Sequence, residues 1–567
     1  MENKGSFYIF AEACEKIEKV SKRYDMVYIV SKLLDELPKN EIPYAVVLLS
    51  GYVFPPWENK VLNISWSSIA KIISKIAKVS GKEFSEIFSK SGDVGQTVKE
   101  IFELKNISPT YGLFSEPLSI LELKEIFCKL AELKGKDSQR KKLAILEALY
   151  RRVSPLEAKY ITKILLGELR IGLGEGLLEI AISKKFSIPL EKVQCAHMLY
   201  GDLGSVMKDL LEKGKESILN AKIQLLRPLR PMLADMISAE EEILEEQGGI
   251  TAVEYKLDGA RIQIHKKMNE IRIFTRRLTD VTDNLPELVS FIEKIPIEKF
   301  ILEGEIIAVS PYNGKPYPFQ YLMRRFRRLE SDTFLQQKIS LEPYFFDVLL
   351  INDQELLAMP YLIRRHLLEN RFSEINTVDV LLTNDPIMIQ KFFKEAIEGG
   401  HEGLVAKAIY SKYHPGKRKK LWLKLKRTLE PLDVVIVAAQ YGYGRRVKWL
   451  SDYYLAVRDP TTNEFLVIGK TFKGLTDEEF EWITKELLKL KLKQIGPKVY
   501  VQPRIVVEVI YDEIQKSPQY KSGYALRFAR IKRIRLDKSP NDIDTIDKVK
   551  RIYEEQFKHK AMFELEQ

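Results

Sequence analysis

The apolar period changes along this 567-residue chain, and that change limits the folds open to it. Up to about residue 225, apolar side chains recur at helical spacing, as over 26–37, 67–77, 141–153 and 155–165, and strand signals are scarce. An all-α region is predicted there. The Pro-punctuated stretch Arg227-Pro228-Leu229-Arg230-Pro231-Met232-Leu233-Ala234 breaks the pattern. Beyond it, short β-prone runs alternate with helices predicted over 239–247, 285–294 and 361–371, an α+β arrangement. After Arg427-Thr428-Leu429-Glu430-Pro431, strands over 433–439, 451–457 and 464–471, a helix over 476–490 and a strand pair within 499–511 predict a small β-barrel. A chain of this length is too long for one core. The expected division is a helical domain over 1–225, a linker over 226–239, an α+β domain over 240–427 and a barrel with a helical tail over 428–567.

The chemistry concentrates in the middle region. Lys256 opens Lys256-Leu257-Asp258-Gly259-Ala260-Arg261, between a β-prone run over 250–253 and the alternating stretch over 261–265, which places it where two strands join. Taken alone this segment is equally an ordinary Asp-Gly hairpin turn. Its companions tip the balance. Arg276 follows another alternating run, and Glu303 and Glu305 share one face of Ile301-Leu302-Glu303-Gly304-Glu305-Ile306. Buried carboxylates are costly, so a cleft pair of this kind suggests a sugar hydroxyl or a metal. Phe346, in Tyr344-Phe345-Phe346-Asp347-Val348, suits either a purine face or plain core packing. Glu402 and Lys407 bracket a further apolar strand. In Leu421-Trp422-Leu423-Lys424-Leu425-Lys426, alternation puts Lys424 and Lys426 on one face, where they repel unless an anion lies between them.

Two glycine segments lie outside this cluster. Leu169-Arg170-Ile171-Gly172-Leu173-Gly174-Glu175-Gly176 sets three glycines before a helical run over 177–182, which is either a phosphate cradle at a helix N-terminus or a tight inter-helix turn. Tyr441-Gly442-Tyr443-Gly444-Arg445-Arg446 is a basic loop suited to phosphate contact. A formal net charge of +11 agrees with a polyanionic partner without requiring one. Three cysteines, Cys14, Cys128 and Cys195, lie far apart, which argues against a disulfide framework and a four-cysteine zinc site. With no signal-like or membrane-length apolar run, a soluble, cytoplasmic protein is expected.

Taken in order, these segments resemble the covalent nucleotidyltransferases, and more closely the ATP-dependent DNA ligases of the archaeal and eukaryotic replicative type. KLDGAR is similar to motif I of that superfamily, EGEIIA at 303–308 to motif III, YFFDV at 344–348 to motif IIIa, EGLVAK at 402–407 to motif IV and LWLKLK at 421–426 to motif V. The segment over 525–538 resembles motif VI, with Phe528-Ala529-Arg530 where many relatives read F-P-R. The resemblance implies a helical DNA-binding domain, an adenylation domain and a C-terminal OB-fold, acting on nicked duplex DNA with ATP and Mg²⁺, or Mn²⁺ in its place.

It further implies roles by position. Lys256 becomes the lysyl-AMP nucleophile. Its amine would need a pKa below the ordinary ~10.4, lowered by neighbouring cations. Glu305 holds the ribose, Phe346 stacks on adenine and Glu254 lies beside it. Arg261 and Arg276 contact ribose or the nick 5′-phosphate, and Arg418, Lys424 and Lys426 serve the phosphates. Glu305 and Glu402 are the implied metal ligands, and Arg530, Arg533 and Lys538 orient pyrophosphate. Gly172, Gly174, Gly176, Arg445 and Arg446 touch DNA, and Asp433 is the hinge. The segment around Phe114 resembles a degenerate sliding-clamp motif, without the usual glutamine. A monomer is expected. The rival readings are a GTP-dependent capping guanylyltransferase, an RNA ligase and a non-catalytic DNA-binding scaffold.

Overall fold

The computed structural model describes residues 5–109, 116–135, 137–327, 339–414, 416, 420–442, 446 and 448–562. Phe114, Arg418 and Arg445, three of the residues singled out above, lie outside the described residues. The chain forms two compact units. One runs to residue 311 and includes 319–392 and 404–425; the other comprises 312–318, 393–403 and everything from 426 onward.

The first unit begins with helices only, the last of them ending at Leu219. The expected helices form as Arg23–Glu36, Trp66–Ala77, Ser138–Arg151 and Pro155–Leu165. Pro155–Leu165 starts with proline in its first turn and a capping box between Ser154 and Glu157, which satisfies otherwise orphaned amides. Its residues from Glu157 to Leu165 are all buried, two lysines among them. Lys159 reaches Glu15 at 2.7 Å and Glu18 at 2.8 Å, and Lys163 reaches Glu18 at 2.7 Å and Asp93 at 3.1 Å. Each buried cation therefore has carboxylates beside it, which ties this helix to Ser6–Lys19 and to the start of Val94–Leu104.

Two five-stranded sheets follow in the same unit. One has the order Asp235–Met236, Trp422–Lys426, Gly403–Lys407, Thr251–Lys256, Val380–Thr383. The other runs Glu270–Thr275, Ala260–Lys267, Lys299–Val309, Ser340–Ile351, Gln354–Glu355. The turn from Lys256 to Ala260 passes from the first sheet to the second. Gly259 makes that passage fit, because a Cβ there would stand 2.4 Å from the carbonyl oxygen of Ile306.

The linker is not a loose tether. Leu226 N–H donates to His265 Nδ1 at 3.1 Å, and Leu229 N–H donates to Gln263 Oε1 at 2.8 Å. On the helical side, Arg227 stacks over the Trp57 ring at 4.7 Å, and Arg230 grips Glu175 through two bonds of 2.7 and 2.5 Å. The segment between the helices and the sheets is thus bonded on both sides, within one compact unit.

The second unit is strand-rich. Leu432–Tyr441 pairs antiparallel with Leu450–Arg458, with Lys498–Val501 and with Val506–Ile510; Phe465–Thr471, Lys491–Ile495 and Arg530–Ile534 extend the sheet. Helix Asp477–Lys489 follows the third strand, as expected of an OB-fold, and a Thr476–Glu479 capping box starts it. The hairpin Glu513–Lys516 with Tyr524–Arg527 and the edge strand Lys491–Ile495 were not anticipated from sequence.

Candidate active site

Lys256 ends the Thr251–Lys256 strand, half-buried, with Glu254 two residues earlier. Glu254 is buried and fully engaged. Lys407 Nζ lies 2.6 Å from its Oε2, Arg365 donates to its Oε1 at 3.3 Å, and the Tyr361 hydroxyl donates to the same oxygen. Lys407 in turn faces three rings, with centres at 4.3 Å for Phe346, 4.5 Å for Trp422 and 4.9 Å for Tyr361. Burial pulls the Lys407 ammonium pKa down, against the opposing field of Glu254, so this amine is held in an unusually dry place.

Phe346 is buried within Ser340–Ile351, with Trp422 edge-on at 6.3 Å and the Arg261 guanidinium 5.3 Å from its ring centre. Arg261 stands opposite Glu305 in register, yet its guanidinium bonds Glu303 Oε2 at 2.6 Å and the Met232 carbonyl at 2.7 Å. The Tyr413 hydroxyl donates to the same Glu303 oxygen at 2.7 Å and accepts from Met232 N–H at 2.9 Å. Burial opposes the Arg261 charge, but Glu303 outweighs it and holds the pKa above the ordinary value. Of the expected pair, Glu303 is therefore spent inside the protein, while Glu305 is half-buried on the same strand face. Asp347, next to Phe346, is locked to Arg364 by two bonds of 2.8 Å with neither side chain exposed. The core beneath the site is thus polar and closed by paired charges.

Arg276 is exposed at the end of Glu270–Thr275. Lys424 and Lys426 share one face of Trp422–Lys426, both half-buried, as alternation predicted. In the second unit Lys426 lies 2.7 Å from Glu402 and 3.7 Å from Asp512. Arg533 is paired with Glu508 at 2.6 Å, and Arg530 is exposed at the start of its strand. Asp433 sits inside the first barrel strand, where it receives Lys538 at 2.6 Å and Arg535 at 3.1 Å, and its N–H donates to Asp544 at 2.8 Å. Asp433 is thus bonded into the barrel, and residues 427–431 precede its strand.

At the glycine segment the helix begins at Glu175, so Gly174 is its N-cap and Gly176 lies in the first turn, ahead of the run over 177–182 expected from sequence. All three glycines are exposed, and a Cβ at Gly174 or Gly176 would meet nothing within 4 Å. The helix start is therefore open. Arg446 is held instead against the Phe480 ring at 4.2 Å and donates to the Phe472 carbonyl at 3.0 Å.

Sequence reasoning did not assign roles to Lys407, Tyr413, Arg364 or Arg230. Lys407 left a trace, as a cation closing an apolar strand. The others are defined by partners far away in the chain. Among the described residues no group of three His, Cys, Asp or Glu side chains could cage a metal. Mg²⁺ asks for no such cage, since it commonly takes one or two carboxylates and fills its shell with water and substrate phosphates; Glu305 in the first unit and Glu402 in the second are each donors of that type. No helix among the described residues is long and apolar enough to cross a membrane.

Comparison with known proteins agrees along the chain. Residues 6–183 match the DNA ligase N terminus family, 231–426 the ATP dependent DNA ligase domain and 446–538 the ATP dependent DNA ligase C terminal region. The chain is 43% identical to DNA ligase 1 of Korarchaeum cryptofilum over 97% of this chain and 98% of that one. It is 38% identical to a DNA ligase of Archaeoglobus fulgidus over 98% and 99% of the two chains. The solved structure of Pmar-Lig_Pre shares the fold, with a TM-score of 0.57 at 18% identity, covering 93% of this chain and 99% of that chain. The chain belongs to the ATP-dependent DNA ligase family.

Proposed function

We propose that this protein seals nicks in duplex DNA, joining a 3′-hydroxyl to a 5′-phosphate at the expense of ATP. The observation that carries the reading is Lys256 at a strand end, within a hexapeptide held by its glycine against the neighbouring sheet, in a chain 43% identical to a DNA ligase along nearly its whole length. The Lys256 amine, having lost its proton, attacks the α-phosphorus of ATP; a P–N bond forms as the α–β P–O bond breaks, and pyrophosphate leaves. An oxygen of the nick 5′-phosphate then displaces the lysine from that phosphorus, leaving AMP joined to the DNA end. The 3′-hydroxyl finally attacks the DNA 5′-phosphorus, loses its proton and expels AMP.

In this scheme Glu305 holds the ribose, Phe346 the adenine, and Arg276, Arg418, Lys424 and Lys426 offset phosphate charge. Glu254, fixed by Lys407, borders the adenine, and Arg261, bonded to Glu303, contacts the ribose or the nick 5′-phosphate. Arg530, Arg533 and Lys538 orient pyrophosphate. Because they come from the barrel, that step needs closure about a hinge near Lys426 to Asp433, with Asp433 as the hinge residue. A divalent cation, Mg²⁺ or Mn²⁺, held by Glu305 and Glu402, would supply electrostatic stabilisation of the phosphates. Exposed amides at Gly172, Gly174 and Gly176, with Arg445 and Arg446, contact the duplex backbone without reading bases. We assign the protein to replication, repair and recombination, as an intracellular monomer, with a sliding clamp met through the segment around Phe114.

The test is incubation with α-³²P-ATP and Mg²⁺, a denaturing gel, and a chase with nicked DNA. Label on the wild-type chain, absent from Lys256→Ala and discharged by the nick with sealing, supports the reading. Label from GTP discharged to RNA would move the protein to the capping class, and no label with any nucleotide would leave a scaffold.

A further inference from the structure

One face of the barrel carries a row of residues that the ligation scheme does not use. Lys470, Tyr454, Ala438, Tyr500 and Lys493 stand directly opposite one another across five neighbouring strands, in that order. Directly paired residues of antiparallel strands point to the same side, so the row lies on one surface. A second row beside it holds Asp452, Gln440 and Lys498. The inner side of these strands is the apolar core, built on Ala439, Tyr453, Leu455 and Val499, so both rows face outward.

Lys498 occupies the gap between the tyrosines. Its ammonium lies 3.7 Å from the Tyr454 ring centre and 4.7 Å from that of Tyr500. Lys493 lies 4.9 Å from Tyr500, and Lys470 5.9 Å from Tyr454. Lys470 is also bound to Asp452 at 2.7 Å, and the Tyr454 hydroxyl donates to Gln440 at 3.1 Å. Three lysines against one carboxylate leave the face cationic. Both rings are half-buried, which fixes them without covering them.

The spacing has a chemical counterpart. The two rings, separated by one strand, have centres no more than about 8.4 Å apart, since Lys498 lies 3.7 Å from one and 4.7 Å from the other, with its cation between them. A single strand of nucleic acid presents the same alternation of base, phosphate and base. A duplex does not, because its base faces are already stacked on one another. Aromatic rings set among lysines on an OB-fold are the ordinary means of holding unpaired nucleotides.

We propose that this face binds single-stranded DNA, with two neighbouring bases stacked on Tyr454 and Tyr500 and the phosphate between them met by Lys498, which leaves the rings for the anion. The site is separate from the ligation chemistry and does not depend on it. It would let the enzyme hold an unpaired strand beside a nick.

The experiment is fluorescence anisotropy on the full chain, with a labelled oligo-dT and an unbroken duplex of equal length, for wild type, Tyr454→Ala/Tyr500→Ala and Tyr454→Phe/Tyr500→Phe. Self-adenylation with ATP reports that each variant is folded. The expected result is at least tenfold weaker oligo-dT binding in the alanine pair, under twofold change for duplex, and near wild-type binding in the phenylalanine pair. If the alanine pair fails to fold, Lys498→Gln decides. It keeps both rings, should weaken oligo-dT at least threefold, and should lower the slope of log affinity against log salt by roughly 0.7, one phosphate of a single strand. No oligo-dT binding by wild type, an unchanged affinity in the variants, or an equal loss for duplex and single strand would each overturn the proposal.

Discussion

Lys407 Nζ stands 2.6 Å from Glu254 Oε2, with both side chains closed to solvent. Glu254 belongs to the strand that ends in Lys256, so this pair fixes the strand from below. Removing one member of a buried ion pair strands the other's charge, at a cost of about 3–5 kcal/mol. Arg365 and Tyr361 remain on Glu254, which favours the lower end for Lys407→Met. Urea denaturation should show about 3 kcal/mol lost, and Lys407→Met/Glu254→Leu should recover much of it. A loss below about 1 kcal/mol would show that the pair is not holding the strand.

His265 is buried in the second sheet and its pKa falls from 6.5 to about 3, because desolvation disfavours the imidazolium. The hydrogen bonds agree: Nδ1 accepts from Leu226 N–H, so Nε2 carries the proton and donates to Gln263 at 2.9 Å. Protonating Nδ1 would set two donors against each other. Between pH 6.5 and about 3 the unfolded chain binds a proton here that the folded chain does not, so stability falls as pH falls. Between pH 7 and pH 5 the wild type should lose about 2 kcal/mol more than His265→Gln, at about 1.4 kcal/mol per unit below the unfolded value. Equal losses in urea midpoints at the two pH values would refute this.

Glu15 adds to the loss towards acid, in a lower pH window. Burial pushes its carboxyl up, but the hydrogen bond and charge of Lys159, with Lys99 and Tyr160, prevail and hold it at about 2, below the ordinary 4.5. Its contribution is complete above 4.5 and is lost as pH falls through about 2. Acid unfolding followed by helical circular dichroism should therefore be shallower in that window for Glu15→Gln. The variant should already be less stable at pH 7, since Lys159 then keeps only Glu18. An acid transition of unchanged slope would show that Glu15 is not a source of it.

Arg230 links the linker to the glycine segment by holding Glu175, the first residue of the helix there. Arg230→Ala frees that carboxylate beside the site proposed for a DNA phosphate. Nicked-DNA affinity should fall roughly fivefold, about 1 kcal/mol of added repulsion, while self-adenylation on Lys256 is retained. Adding Glu175→Gln should restore binding. If the double variant binds no better than Arg230→Ala, the effect comes from lost packing of the linker.

Much of this was legible in the sequence because it is local. Alternation in 421–426 placed Lys424 and Lys426 on one face, and the proline-rich stretch at 227–231 marked the end of the helical region. What escaped depended on distant partners. Nothing in the local sequence marks Lys159 and Lys163 as buried, because the carboxylates that offset them, Glu15 and Glu18, lie more than 140 positions away. Likewise Glu303 and Glu305 are equivalent by strand period, and only Arg261, Gln263 and Tyr413 converging on Glu303 tell them apart. The linker looked like a spacer for the same reason, since His265 and Gln263 secure it from a strand that begins 34 residues later.

Within the reactive hexapeptide, two positions are fixed for unrelated reasons. Lys256 is held by the proposed reaction, whereas Gly259 is held by space, since even a methyl would press on a backbone oxygen that has no rotamer to escape through. A saturation library across this segment should therefore return two silent codons with different signatures. Cells carrying changes at 256 would accumulate folded, inert protein, and those carrying changes at 259 would lose the protein itself.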